Sequence, residues 1–426
     1  MLSTFERGHK RHIITLLAGL MTLPMLFAPT AQAASQGGLV IVGGALRASN
    51  TAVYERFIDM AGGRDSALIG VIPAASGKPS RNGQKFIDDM IAMGVPADHL
   101  TLMSIAVIDD SSTEDIDESQ WADNGDDPKV AETIAQQTAI WMIGGDQMRL
   151  RQTLMDTEGS PTPAAQAISE VFQSGGVIGG TSAGAAIMSD IMIASGDSYG
   201  ALSEGFTDSY GSMDEQEFGP VYLDKGLGLF PYGIIDQHFD RKARYGRLIT
   251  TSFLHREQYP MGFGIEENTA LVVAEGIAEV LGDGGVHVID TSQAQHGDDG
   301  SFSNVRLSYF QPGDQWRFGE GYVNASDKHE TGGNEYYHTP TPIQTGVFSR
   351  NGSLRDFIGY DLIDNEAATS VASYLLNPET DTGFRLDFQQ GTATRGYWKA
   401  LDGQADSYSY VNVRLDISPV SVEIKQ

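Results

Sequence analysis

The sequence contains no cysteine, which excludes a disulfide scaffold and a lipid-modified cysteine behind an export signal. It is poor in basic residues, with 28 Lys plus Arg against 56 Asp plus Glu and a formal net charge of −28. So acidic a chain repels phosphate, which argues against DNA or RNA as a partner. Charged residues make up only 20% and hydrophobic ones 41%, which argues against disorder throughout. A long hydrophobic run is also missing: the apolar stretch from Ile13 to Phe27 is shorter than the roughly 20 residues of a spanning helix, and Pro24 interrupts it. With Arg7, Lys10 and Arg11 before it and Ala31-Gln32-Ala33 after it, the stretch reads as a secretory signal peptide cleaved after Ala33. The expectation is an exported protein, secreted or periplasmic, with no membrane attachment after cleavage.

Beyond that segment there is ample material for a core, and the 426 residues suit two or three domains. From Gly38 short apolar runs alternate with amphipathic stretches, the pattern of a parallel sheet with crossover helices. The runs are Leu39 to Val42, Ala67 to Pro73, Leu100 to Val107, Ala139 to Ile143 and Gly176 to Ile178, with later ones near Ile234, Ala270 to Ala274 and Val286 to Ile289. Helical stretches are expected at 51–60, 82–93, 130–137, 163–173 and 241–253. Between Asp109 and Pro128 nine acids occur with no Lys or Arg, which reads as a solvated loop. Beyond about Gln295 helical periodicity fades into short β-rich alternation. Three segments are therefore expected: a signal peptide over 1–33, an α/β catalytic domain over 34–294 and a β-rich C-terminal domain over 295–426.

Three motifs fall where an open parallel sheet places its ligands, just past the carboxyl ends of strands. Gly180-x-Ser182-x-Gly184 matches a nucleophile elbow, in which small neighbours let a strand turn sharply into a helix with the hydroxyl exposed. The alternative is a turn needed only for packing. The Ala183 N–H is placed to meet a developing oxyanion. A serine needs a base. His238, in Ile234-Ile235-Asp236-Gln237-His238-Phe239, follows an apolar run and precedes a helix, whereas His255 lies at the far end of that helix. Gly144-Gly145-Asp146-Gln147 ends another run, which makes the Gly145 N–H a candidate second oxyanion donor and Gln147 a candidate substrate contact, the alternative being an ordinary strand-to-helix turn. Downstream of His238 stand Arg241, Lys242, Arg244 and Arg247. On a helix these would form a basic face suited to substrate carboxylates, or they would pair with neighbouring acids.

Together these motifs, with Gly264-Ile265-Glu266-Glu267-Asn268-Thr269-Ala270, resemble the cyanophycinases, in the serine peptidase family that also contains aspartyl dipeptidase. The last block carries Glu and Asn where Asp is usual. The resemblance spans roughly Gly38 to Asp290, and the export signal is similar to that of the extracellular branch. It implies an α/β fold, a three-layer sandwich with a mostly parallel sheet like the class I glutamine amidotransferases, with serine in place of their cysteine. It implies cyanophycin as substrate, a poly-aspartate backbone with arginine on each side-chain carboxyl, cut to β-Asp-Arg dipeptides. It implies Ser182 as nucleophile, His238 as base, and a substrate site lined by Gln147, Asp236, Gln237, Lys242, Arg244 and Arg247. Lys242 stands where the family usually has Arg and lacks the bidentate grip. The family places its triad acid between serine and histidine. That interval is 238 − 182 = 56 residues here, and Glu204 is the choice within it, then Asp197, with Glu215 and Glu217 also open. No cofactor or metal is called for, and a homodimer is compatible with the family. The competing readings are an aspartyl dipeptidase-like hydrolase, an α/β-hydrolase esterase and a non-catalytic polymer-binding protein.

Overall fold

Strand β1 (Gly38–Val42) sets the layering. Successive side chains of a strand point to opposite faces, and here both faces are covered. Leu39 and Ile41 enter an apolar cluster with Ile168, Phe172, Ile178 and Phe263. Val40 and Val42 enter another with Val53, Phe57, Phe86 and Met90. A strand buried on both faces reads as a continuous apolar run, and Leu39 to Val42 is one.

The computed structural model describes residues 37–212, 217–325, 327–340, 343–377, 379–402 and 405–423; the expected signal peptide lies outside them. After β1 come α1 (Thr51–Met60), β2 (Ile69–Ile72), α2 (Pro79–Ala92), β3 (Leu100–Leu102), α3 (Pro128–Ala135), β4 (Ala139–Met142), α4 (Gln147–Leu154), α5 (Pro163–Gln173), β5 (Val177–Thr181) and α6 (Ala183–Ala186). The helix starts are written in the sequence. Asp127 and Thr162 each accept a backbone N–H of the first turn, with Pro128 and Pro163 in that turn, where a missing N–H costs nothing. The five strands are parallel in the order β1-β5-β4-β2-β3.

The chain continues through β6 (Ile191–Ile193), α7 (Ser198–Ser203), β7 (Leu223–Lys225), β8 (Ile234–Asp236), α8 (Tyr245–Leu254), β9 (Met261–Ile265), β10 (Thr269–Ala274), β11 (Ile277–Gly282), β12 (Val286–Asp290), β13 (Gln295–His296), β14 (Phe302–Phe310), β15 (Gln315–Arg317) and β16 (Gly321–Asn324). Strands β10, β11, β15 and β16 extend the first sheet antiparallel beyond β1. In a second sheet β8 pairs parallel with β9, and β9, β12 and β14 follow antiparallel. Strands Ser407–Ser421, Thr382–Gln389 and Ser370–Asn377 continue it. Ile235, Phe263, Ile265, Val286 and Val288 of the second sheet share a core with Leu39, Ile41 and Ile178 of the first. The result is a mixed α/β fold with a parallel-rich sheet and a β-rich C-terminal part. Among the described residues no helix is long and apolar enough to cross a membrane.

Two of the differences from expectation bear on the site and on the C-terminal part. Helix α8 begins at Tyr245 rather than Arg241, because Ala243 takes a left-handed φ of 51° and breaks the helical run. The basic residues before it therefore lie in a turn and do not form one helix face. The C-terminal strands also pair with those before residue 295: β14 lies between β12 and Ser407–Ser421, and β15 pairs with β11. A chain ending at Ala294 would leave β11 and β12 with unpaired edges. It is expected to aggregate or to bind a hydrophobic dye such as ANS, checked by soluble yield and dye fluorescence against the full chain.

Candidate active site

The site is built on the carboxyl ends of β1, β4, β5, β8 and β9. Ser182, between β5 and α6, has φ 55° and ψ −112°, a conformation that a side-chain-bearing residue keeps only where its surroundings enforce it. The flanking glycines do so. A Cβ on Gly180 would lie 2.5 Å from the Gly184 carbonyl oxygen, and one on Gly184 2.2 Å from that of Met142. Backbone therefore packs on backbone across the elbow, as the motif requires. Helix α6 is a single turn, too short for a developed macrodipole, so the local donor is the Ala183 N–H alone. Gly144 passes so close that a Cβ on it would lie 3.1 Å from the Ser182 Cβ, which brings the Gly144-Gly145 turn beside the hydroxyl.

Ser182 Oγ is 2.9 Å from His238 Nε2, and His238 Nδ1 is 2.6 Å from Glu267 Oε1. The second Glu267 oxygen accepts from Arg241 at 3.2 Å. Glu267 follows the end of β9 by two residues, as His238 follows the end of β8. The end of β1 holds all three segments. The Val42 carbonyl accepts the Ser182 N–H at 3.0 Å, the Gly43 carbonyl that of His238 at 2.6 Å, and the Gly44 carbonyl that of Asn268 at 2.8 Å. Gly44 lies under the imidazole, with a φ of 108° and room for no Cβ, which would fall 2.3 Å from His238 Cε1. Burial pushes the His238 imidazole below its ordinary value, against the upward pull of the Glu267 bond. The same bond holds the Glu267 carboxyl low, with help from the charges of His238 and Arg241.

The acid choice is corrected here. Glu204 stands at the C-terminal end of α7 and has no hydrogen bond to His238. Asp197 caps α7 by accepting the Gly200 N–H at 2.7 Å and also holds the Gly219 N–H. Glu217 pairs with Lys242 and Arg350; Glu215 lies outside the described residues. The carboxylate on the imidazole comes 29 residues after the histidine, in the Gly264 to Ala270 block. The block that carries it stood out in the sequence, and Glu267 lies just past an apolar run, as His238 does, but Glu266 shares that placement.

The proposed substrate contacts also divide. Gln237 is near the hydroxyl, its Oε1 3.5 Å from Ser182 Oγ. Gln147 is buried, its side-chain N–H groups turned to the carbonyls of Ala194 at 3.0 Å and Ile193 at 3.3 Å. Asp236, Arg244 and Arg247 form a buried charge cluster. Arg247 Nε and Nη2 grip both Asp236 oxygens, at 2.7 and 2.5 Å, and its Nη1 donates to the Gly196 carbonyl. Arg244 Nη1 lies 3.6 Å from Asp236 and donates to the Gln237 carbonyl at 2.7 Å. The pairing alternative thus describes Arg247, all three of whose nitrogens meet protein partners, and the Nη1 of Arg244. Lys242 is likewise paired, with Glu217; that pair and Arg350 hold the Glu217 carboxyl low despite its partial burial.

Replacing Asp236 by Ala would leave two guanidinium groups buried without a counter-charge, a loss of about 3–5 kcal/mol. Urea unfolding of Asp236→Ala is expected to show that loss as a lowered midpoint. A purely substrate-binding Asp236 would instead raise KM and leave the midpoint in place.

The family model for peptidase family S51 matches residues 39–281, a span that contains Ser182, His238 and Glu267. Among curated proteins, a cyanophycinase of Geminocystis herdmanii (strain PCC 6308) is 32% identical over 292 residues, 66% of this chain and 93% of that protein. A cyanophycinase of Synechococcus elongatus is 30% identical over 306 residues, 69% of this chain and 84% of that protein. Among solved structures, a peptidase from an acI-B1 Actinobacterium is similar at 22% identity and a TM-score of 0.45, over 67% of this chain and 99% of that one. This chain belongs to peptidase family S51 and is a serine-type peptidase.

Proposed function

We propose that this protein hydrolyses cyanophycin to β-Asp-Arg dipeptides through an acyl-enzyme on Ser182, with export directed by residues 1–33. The observation that carries the mechanism is the unbroken hydrogen-bonded series from Ser182 Oγ through His238 to Glu267, at 2.9 and 2.6 Å. Its relatives named cyanophycinase, matched over most of their own length, support the substrate.

In this reading His238 Nε2 takes the hydroxyl proton as Ser182 Oγ attacks the backbone carbonyl carbon of the polymer. Glu267, accepting from Nδ1–H, fixes the tautomer and stabilises the imidazolium. The N–H groups of Gly145 and Ala183 receive the oxyanion. The imidazolium gives its proton to the leaving amine, which departs. Water then loses a proton to His238 as it attacks the acyl carbon, and Ser182 leaves with that proton restored. Gln237, beside the hydroxyl, contacts the substrate. The buried Asp236, Arg244 and Arg247 act behind it by holding β8 to α8. Arg244 donates to the Gln237 carbonyl, so a change there reaches the residue next to the nucleophile.

Purified protein incubated with cyanophycin is expected to release β-Asp-Arg by mass analysis, and Ser182→Ala to release none. Turnover of short Asp-containing dipeptides with intact polymer would favour the dipeptidase reading instead. Glu267→Gln should lower kcat on the order of a thousandfold or more, by analogy with loss of the acid in other triads, while Glu204→Ala retains wild-type rates. Because His238 must be unprotonated to accept the proton and burial lowers its pKa, the acid limb of kcat/KM is expected below the ordinary value of 6.5. Glu267 pulls that pKa upward, so in Glu267→Gln the residual activity should have its acid limb at still lower pH; a shift to higher pH would contradict the assignment.

A further inference from the structure

We propose that the C-terminal loop at 347–353 acts on the catalytic base, with Arg350 a positioning residue for His238 through Glu217 and Lys242. The inference rests on the serine-peptidase assignment above and not on the identity of the polymer.

The turn 238–244 that carries the base contains two left-handed residues other than glycine, His238 at φ 47° and Ala243 at φ 51°. Such a turn persists only when its surroundings over-determine it. One side is held from within the peptidase fold: the Gly43 carbonyl takes the His238 N–H, the Ile265 carbonyl takes the Phe239 N–H, and the Ser198 hydroxyl donates to the Ala243 carbonyl. The other side meets the C-terminal loop. Asn351 N–H donates to the Arg241 carbonyl at 3.0 Å. Arg350 Nη2 lies 2.9 Å from Glu217 Oε2, and the other Glu217 oxygen pairs with Lys242 Nζ. The Lys242 N–H donates back to the His238 carbonyl at 3.0 Å. A polar path therefore runs from Arg350 to the backbone of the base.

The loop is fixed at both ends. Phe348 is buried and stacks on the Tyr245 ring at 4.7 Å between centroids, and Leu354 is buried at the start of the helix Leu354–Ile358. Loop and turn also line a common cavity of about 370 Å³, bordered by Arg241, Glu267, Asn351 and Arg355. Close packing does not join loop and turn across that cavity, and the bond from Asn351 N–H to the Arg241 carbonyl links two of its lining residues. Arg350 is half-exposed and its partners are partly so, and ion pairs of this kind add little to global stability. What they set is the geometry of the turn, and the loss of Arg350 should be visible in catalysis before folding.

The test uses the full-length protein and a fluorophosphonate probe. Ser182 Oγ bonds to phosphorus, fluoride leaves and His238 takes the hydroxyl proton, whatever the natural substrate. Arg350→Ala is expected to slow labelling on the order of tenfold, in the maximal rate rather than in the half-saturating probe concentration, with the thermal midpoint moved by less than about 2 °C. Arg350→Lys should restore labelling to within about threefold of wild type, since one amino group can reach the Glu217 carboxylate oxygen that Arg350 Nη2 holds at 2.9 Å, with the weaker contacts of Arg350 to the Glu217 carbonyl and the Phe218 ring outside the path to Lys242. Glu217→Gln should reproduce the loss, and Arg350→Ala added to it should cost nothing further. Labelling of Arg350→Ala within about twofold of wild type, or a loss that Arg350→Lys leaves unrepaired, would overturn the proposal. Wild-type protein that reacts with the probe but leaves cyanophycin intact would sink the substrate reading and leave this one standing.

Discussion

Three consecutive carbonyls at the end of β1 hold the site together. Val42, Gly43 and Gly44 accept N–H bonds from Ser182, His238 and Asn268, and Asn268 is covalently next to Glu267. Ser182, His238 and Glu267, to which we assign the roles of nucleophile, base and acid, come from the ends of β5, β8 and β9, which belong to two different sheets. Side-chain hydrogen bonds among three residues on separate loops would be a poor ruler by themselves, because each loop would be free to drift. Anchoring all three backbones to one short, fully buried strand end removes that freedom before the side chains meet. Groups preorganised in this way need no rearrangement as charge develops in the reaction.

Charge in this acidic chain is arranged with the same economy. The basic residues after β8 do not form an open cationic patch. Arg244 and Arg247 turn inward to Asp236, and Arg247 also satisfies the Gly196 carbonyl. Removing such charges from water costs several kcal/mol per ion, which the bidentate grip of Arg247 on Asp236 offsets, with its third nitrogen on the Gly196 carbonyl. The outcome is rigidity at the end of β8, two residues from His238. Lys242 and Arg241 remain nearer the surface, each paired with a glutamate that bears on the site, Glu217 and Glu267.

The C-terminal region belongs to this arrangement. Its strands extend both sheets, and its loop at 347–353 closes on the turn that carries His238. Residues distant in sequence from the peptidase motifs thus border the proposed triad, and Arg355 reaches Glu266, the neighbour of Glu267, at 3.3 Å.

Local signals made much of this readable without coordinates. Apolar runs of strand length placed β1, β4, β10 and β12 closely, and amphipathic periodicity placed α5 at its bounds and α3 within two residues of them. The glycine spacing around Ser182 specified an elbow because only hydrogen fits where backbones touch. Those are properties of a residue and its near neighbours, and a sequence carries them directly. Glu267 was harder: the block containing it stood out, but nothing in one dimension says which of many carboxylates reaches an imidazole. That depends on β8 and β9 lying parallel and adjacent, a long-range pairing. The fate of Arg244 and Arg247 was decided in the same way, since a cation reads alike whether it faces substrate or a buried aspartate. Composition and spacing therefore determined the α/β class, the elbow and the segment that carries His238, while tertiary packing alone put Glu267 on the imidazole and turned Arg247 inward to Asp236, because distance between chain segments is a property of the folded sheet.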